Sequence, residues 1–88
     1  MEVETVINRI EGVVESCVVG VADEKWGERV VAAVVSDRES NLIESQIIAF
    51  CKEHLHSWKC PKQILVVNQI PRNTMGKMLK EEVKKIFE

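Results

Sequence analysis

The chain has 88 residues, of which 45% are hydrophobic and 30% are charged, and its formal net charge is -2. This size and balance are typical of one small globular domain, and they exclude a disordered chain or one that binds nucleic acid through a general positive charge. No apolar run reaches the roughly 18 residues that span a bilayer, and no secretion signal is recognisable, so we expect a cytoplasmic protein without a membrane span.

The first half of the chain predicts a helix and two strands. Residues 2–10 have apolar side chains at helical spacing, and Gly12 follows where a helix would end. Residues 13–21 are β-branched and largely apolar, which predicts a strand buried on at least one face. A valine-rich run at 29–36 follows the polar segment 22–28, and together they predict an antiparallel pair with a long connecting loop.

The second half predicts a helix, a strand and a closing helix. Apolar spacing indicates a helix over 42–55, with Ser45 or Asn41 as its N-cap. Residues 63–70 are predicted as a third strand and residues 78–87 as the last helix. The order is therefore helix, strand, strand, helix, strand, helix. It predicts an α+β domain in which helices flank a three-stranded antiparallel or mixed sheet.

Cysteine and histidine spacing gives no sign of a metal site. Cys17, Cys51 and Cys60 are odd in number and lack CxxC or Cys-His spacing, so we expect reduced thiols that pack in the core. His54 and His56 have no carboxylate or cysteine partner at ligand spacing, which predicts surface residues.

A loop between the third strand and the last helix has the clearest chemical character. Pro71 cannot donate to a sheet ladder and Gly76 permits a turn, which places Lys77 on an exposed loop near a helix N-terminus. The basic residues from 77 to 85 are interleaved with glutamates. We interpret them as a solvated helix face with i,i+4 pairs and not as a nucleic-acid surface.

Four segments carry a resemblance to a known family. Residues 71–77 read Pro-Arg-Asn-Thr-Met-Gly-Lys and closely resemble the last signature motif of the adenylate-forming enzymes. Residues 2–4, 18–28 and 58–62 resemble other segments of that family's small C-terminal domain, in the same order. The chain is identified as a member of this family, and it looks most like the acyl- and aryl-CoA ligases of the 4-chlorobenzoate-CoA ligase or malonyl-CoA-synthetase type.

The resemblance implies a domain organisation, substrates and partners. Residues 1–88 would form a single C-terminal lid domain, without the large N-terminal adenylation domain and the hinge, and inactive alone. The partners implied are that large domain, a carboxylic acid and CoA as acceptor, with ATP and Mg bound mainly by the large domain.

The resemblance also assigns roles in the first half-reaction, the adenylation of the acid. Lys77 occupies the motif position of the lysine that stabilises charge at the α-phosphate, and Gly76 lets the backbone approach. Arg72 is expected to steady the loop or the domain contact. Asn73 and Thr74 are expected to supply turn hydrogen bonds.

Other residues match the second half-reaction, the transfer of the acyl group to CoA. Trp26 and Gly27 match the loop that lines the pantetheine path, Trp58 matches the aromatic on which the CoA adenine can stack, and Lys59 is placed to meet a CoA phosphate. Cys60 stands where close relatives tend to carry a second basic residue.

Three alternatives remain open at this point. Both tryptophans could lie in the core, although each occurs in a polar segment. The chain could be a stand-alone binding module that docks on a partner ligase or carrier protein. It could also be a peptide-synthetase-type lid whose acceptor is carrier-bound phosphopantetheine. Within the CoA-ligase interpretation, Lys62 could supply the CoA phosphate contact that Cys60 cannot.

Overall fold

The predicted α+β class and element order are confirmed. The structure is a computed structural model that describes residues 2–25, 27–37 and 40–87. Its elements are α1 (Glu2–Ile7), β1 (Val13–Asp23), β2 (Gly27–Ser36), α2 (Glu44–His54), a 3-10 turn (Ser57–Lys59), β3 (Gln63–Val67) and α3 (Lys80–Ile86).

The three strands form a mixed sheet in the order β1-β2-β3. β1 and β2 are antiparallel and remain paired as far as Asp23 and Gly27. The predicted long loop between them is therefore wrong, because most of the polar segment 22–28 belongs to a tight hairpin. Its polarity reflects a hairpin end that extends beyond the apolar core. β3 runs parallel to β2.

Helices cover both faces of the sheet, which explains why the strands read as continuous apolar runs. α1 and α2 pack on one face, in a cluster that includes Val18, Ala32, Ile47 and Ile64. We call this side the α1/α2 face. α3 packs on the other side, the α3 face, in a cluster around Val83.

Two predicted boundaries are wrong because backbone pairing ends earlier than the apolar pattern. β3 ends at Val67 and not at residue 70, since its register with β2 stops at Val35. The last helix begins at Lys80 and not at residue 78. Met78 forms a bridge with Arg72, and this pairing keeps the preceding backbone out of the helix.

The other two helices also differ from prediction at their ends. α1 ends at Ile7, because the following residues form tighter turns in which the Ile10 N–H donates to the Ile7 carbonyl. The N-cap of α2 is Ile43, and neither Ser45 nor Asn41 has that role. The Gln46 side chain instead accepts a hydrogen bond from the Ile43 N–H at 3.1 Å.

Both edge strands donate a backbone N–H to a helix carboxylate. The Val18 N–H of β1 donates to Glu4 of α1 at 3.0 Å. The Ile64 N–H of β3 donates to Glu44, in the first turn of α2, at 2.8 Å. These carboxylates fasten the two helices of the α1/α2 face to opposite edges of the sheet.

Candidate functional site

The segment from residue 71 to residue 79, which we call the Lys77 loop, folds back on itself between β3 and α3. Its two ends are joined by a hydrogen bond of 2.9 Å from the Leu79 N–H to the Pro71 carbonyl. Nearer the tip, the Asn73 N–H donates to the Lys77 carbonyl, also at 2.9 Å. The loop is therefore a narrow, hydrogen-bonded turn.

Asn73 organises the tip of this loop. Its Oδ1 accepts hydrogen bonds from the N–H groups of Met75 at 2.9 Å and Lys77 at 3.0 Å. Its carbonyl accepts a third bond, of 3.0 Å, from the Gly76 N–H. Gly76 has a φ of 83°, a left-handed conformation that glycine adopts readily. The backbone of Lys77 is thus fixed on both sides of its Cα.

The side chain of Lys77 is free to meet a ligand. Lys77 is exposed, and within the described residues its ammonium group has no ion-pair partner. It lies three residues before α3, which confirms the predicted position on an exposed loop near a helix N-terminus. Met75, two positions earlier, is 90% exposed. The loop tip therefore presents one cation and one apolar side chain.

Arg72 connects the loop tip to the sheet. One guanidinium nitrogen, Nη1, donates to the Gly76 carbonyl at 2.6 Å. The other, Nη2, forms an ion pair with the carboxylate of Glu15 on β1. Sequence reasoning identified Arg72 but missed Glu15. The available signal was a lone acidic residue within the apolar run 13–21.

A second candidate surface surrounds Trp58, which is 72% exposed and therefore not a core residue. Lys59 Nζ lies 5.0 Å from the centroid of the indole and 3.1 Å from the Glu2 carboxylate. Both side chains border a groove of about 310 Å³, here called the Trp58 groove. Its lining residues are Val3, Val18, Val19, Gly20, Glu28, Val30, Trp58 and Lys59.

The remaining predicted contacts are placed as follows. Gly27 begins β2 with a φ of 81°, and no atom lies within 4 Å of the position of an added Cβ. Trp26 lies outside the described residues. Cys60 is buried, whereas Lys62 is exposed, and both line a groove of about 260 Å³ that adjoins Trp58. Lys62 is thus an exposed cation near the position of Cys60.

The structure does not bring the Lys77 loop and the Trp58 groove together. The loop follows Ile70 and contains Met78, and both of these residues pack on the α3 face. The groove is lined mainly by residues of the α1/α2 face, namely Val3, Val18 and Val30, and it reaches the α3-face cluster only at Val19. The sheet therefore separates the two surfaces.

The buried thiols are not part of either surface. Burial raises the pKa of Cys51 to about 11, and the nearby Cys60 adds to the shift. Burial also raises the pKa of Cys17, which the neighbouring Glu4 reinforces. Both thiols are thus protonated near neutral pH. The described residues contain no group of three or more histidine, cysteine or acidic side chains that could hold a metal ion.

No helix within the described ranges is sufficiently long and apolar to cross a membrane.

The fold and its two surfaces define a small domain that presents a loop lysine on one side of a sheet and an aromatic groove on the other. The family model described as "AMP-binding enzyme C-terminal domain" matches residues 2–77. The chain belongs to this family.

Relatives and solved structures agree with this assignment. The long-chain-fatty-acid–CoA ligase FadD13 of Mycobacterium tuberculosis (strain ATCC 25618 / H37Rv) is 44% identical over 79 residues, which are 90% of this chain and 16% of that protein. The apo structure of MatB from Rhodopseudomonas palustris has a TM-score of 0.93 and 38% identity, and the match covers 98% of this chain and 17% of that chain.

A third similar protein is named for a different activity. The amide bond synthetase McbA from Marinactinospora thermotolerans has a TM-score of 0.91 and 32% identity, over 98% of this chain and 17% of that chain. The chain therefore spans less than one fifth of the length of each of these proteins.

Proposed function

We propose that this chain is the mobile C-terminal lid of an ATP-dependent acyl-CoA synthetase. In this proposal it works with a large N-terminal adenylation domain and is inactive alone. The observation that carries the proposal is the placement of the Lys77 loop and the Trp58 groove on opposite faces of one sheet. A reaction with two successive steps at one site can use both surfaces if the lid rotates between the steps.

Lys77 serves the first step. A carboxylate oxygen of the acid attacks the α-phosphorus of ATP, the bond to the β-phosphate oxygen breaks, and pyrophosphate leaves. Negative charge gathers around one phosphorus atom, so a fixed ammonium group stabilises the transition state. The exposed, unpaired Lys77 on a hydrogen-bonded loop supports this role. Because the described residues offer no metal cluster, we assign Mg²⁺, together with ATP, mainly to the large domain.

The Trp58 groove serves the second step. The thiol of CoA gives up its proton and attacks the acyl carbon, the bond to the AMP oxygen breaks, and the thioester forms. The exposed indole of Trp58 offers a face for the adenine of CoA, and Lys59 beside it offers a phosphate contact. Gly27 and Trp26 are assigned to the pantetheine path, where an open backbone at Gly27 leaves room for a thin chain.

The three free, buried cysteines support the cytoplasmic location that we propose for this reaction. We assign recognition of the carboxylic acid to the large domain, since neither surface described here forms an enclosed acyl pocket.

An amine is a second candidate for the acceptor. The likeness to an amide bond synthetase favours it, as does the buried thiol of Cys60 at a position where a further cation would strengthen phosphate binding. In that case the lid would still supply Lys77 for adenylation, and CoA would not be consumed.

The test follows the two half-reactions separately in the full-length enzyme. Lys77→Ala is expected to slow pyrophosphate release by about 100-fold or more, yet to convert supplied acyl-adenylate to thioester at nearly the normal rate. Lys80→Ala, which removes the next exposed lysine, is the matched control and should leave adenylation unchanged. Trp58→Ala is expected to raise the KM for CoA without affecting pyrophosphate release.

The possible outcomes separate the candidates. Normal adenylation by Lys77→Ala would contradict the lid proposal and favour a binding module. Amide formation with an amine and no thioester with CoA would instead identify the second acceptor.

A further inference from the structure

We propose that Glu15 is a positioning residue for adenylation, which orients Lys77 through Arg72. This inference rests on the proposed function, because it assumes that Lys77 acts on the α-phosphate. Glu15 lies near the start of β1, far from the Lys77 loop in sequence. Its importance follows from the contact between its carboxylate and Arg72.

A short chain of contacts runs from Glu15 to the residue before Lys77. The Glu15 carboxylate pairs with Nη2 of Arg72, and Nη1 of Arg72 donates to the Gly76 carbonyl at 2.6 Å. Because the guanidinium group is planar and rigid, the position of the carboxylate sets the direction of both contacts. The peptide that leads into Lys77 is thereby tied to the sheet.

The other hydrogen bonds of the loop are internal, except that the Leu79 carbonyl accepts from the N–H groups of Glu82 and Val83 in α3. Asn73 bonds to Met75, Gly76 and Lys77, and these bonds fix the shape of the loop but not its orientation. Among the described residues, no other hydrogen bond or ion pair joins residues 72–77 to the sheet. The ion pair with Glu15 therefore supplies an orientation that the internal bonds cannot.

The local structure of β1 places Glu15 for this contact. The register between β1 and β2 shifts between Val13 and Glu15, and Val14 at this irregularity is 63% exposed. Such bulges commonly re-aim a side chain. Beyond the bulge, Glu15 pairs with Val35, which packs on the α3 face. The Glu15 side chain is only 25% exposed, a costly site for a carboxylate without a partner.

The ion pair between Glu15 and Arg72 also gives the two cations of the loop, Arg72 and Lys77, different roles. Arg72 is neutralised by Glu15, whereas Lys77 has no partner within the described part of the chain. The loop thus offers a single uncompensated charge to the phosphate. When the lid rotates in the proposed reaction, the contact between Arg72 and Glu15 keeps the Lys77 loop in a fixed orientation relative to the sheet.

The experiment measures both half-reactions of the full-length enzyme for Glu15→Leu. We expect adenylation to fall about 10- to 100-fold in kcat, since a misplacement of about 1 Å can cost that much. The KM for ATP and the conversion of supplied acyl-adenylate should stay within about threefold of the wild type. Glu11→Leu, which removes an exposed acidic residue from the preceding turn, is the control.

Two further variants test the route through Arg72. Glu15→Gln keeps an oxygen acceptor, so it should restore part of the lost adenylation rate. The double variant Glu15→Leu/Arg72→Leu should be no slower than Arg72→Leu alone, because both changes break one chain of contacts.

Several results would overturn the inference. Adenylation by Glu15→Leu within twofold of the wild type would do so, as would an equal loss in both half-reactions accompanied by a lower Tm. If Lys77→Ala abolishes adenylation while Glu15→Leu stays within about twofold of the wild type, only this inference fails. If Lys77→Ala itself is active, the proposed function fails too.

Discussion

Gly76 allows the Lys77 loop a shape that other residues adopt only at a cost. Its φ of 83° is left-handed, and no neighbouring atom lies within 4 Å of the position of an added Cβ. A substitution here therefore introduces backbone strain without a steric clash with neighbouring residues. Gly27 has the same two properties at the hairpin that precedes β2. The two glycines form a matched pair, one in the Lys77 loop and one at the start of β2.

Gly76→Ala is expected to strain the loop by about 1 kcal/mol and to slow adenylation, because the peptide before Lys77 must relax to another geometry. Gly27→Ala should carry a similar strain but slow thioester formation from supplied acyl-adenylate. Separate assays of pyrophosphate and thioester in the full-length enzyme check both results. Equal effects of both variants on both steps would contradict this assignment of the two loops.

At the level of single residues, the sequence predicted much of the candidate site. The Pro71 and Gly76 pattern gave the exposed loop, and the polar surroundings of Trp58 indicated a surface residue. Glu15 could not be predicted as a partner of Arg72, because 57 positions separate them and only the folded sheet brings them together. The predicted packing of Cys60 in the core is confirmed, since its side chain lies in the cluster of the α1/α2 face.

α3 docks on the sheet through few residues. Val83 is fully buried, Phe87 just after the helix is 8% exposed, and the outer side bears the pairs Lys84–Glu81 and Lys85–Glu82. These pairs have i,i+3 spacing and not the predicted i,i+4 spacing. As exposed ion pairs, they contribute little to stability. The position of the helix therefore depends on apolar contacts, whereas the loop before it is also held by the ion pair of Arg72 with Glu15.

Val83→Ala is expected to lower the free energy of unfolding by about 2 kcal/mol, since it removes buried methyl groups and leaves a cavity. Ile86→Ala, on the same helix, changes a residue that is 41% exposed and should cost less than about 1 kcal/mol. Denaturation of both variants in urea gives the comparison. Equal losses would mean that α3 does not dock through Val83.

The element boundaries that sequence analysis missed share one cause. Apolar patterns indicate which residues prefer a strand or a helix, but backbone pairing decides where an element ends. β3 ends where its partner strand no longer faces it, and α3 begins only after the bridge between Arg72 and Met78. The hairpin at Asp23 and Gly27 was missed for the same reason.

The stability of the whole domain should depend on pH through Cys51. Its pKa is raised in the folded state from 9.0 to about 11, mainly by burial. The unfolded chain therefore loses this proton first as the pH rises. The stabilisation is fully present below about pH 9 and is lost between about pH 9 and pH 11, by roughly 3 kcal/mol in total.

Urea denaturation from pH 7 to pH 11 tests this expectation against the variant Cys51→Ala. The variant should be less stable at neutral pH because it loses packing, but its stability should fall less steeply above pH 9. The titration of lysines affects both proteins and cancels in the comparison. Parallel pH curves would show that Cys51 does not contribute.

Burial of both sheet faces is the property that the sequence indicated least. The valine-rich runs predicted burial on at least one face, but the assignment of α1 and α2 to one side and α3 to the other requires the three-dimensional packing. The separation of the Lys77 loop from the Trp58 groove follows from that layering. In the proposed function, a rotation of this domain is the motion that would exchange the two surfaces.

The carboxylates of Glu4 and Glu44 also affect how the domain behaves in a crowded solution. An open sheet offers backbone donors at both edges, to which a strand of another molecule can add. Here the Val18 and Ile64 donors are already bonded to helix side chains. An added strand must displace a carboxylate before it can pair at either position. The same contacts that fasten the helices thus act against edge-to-edge polymerisation.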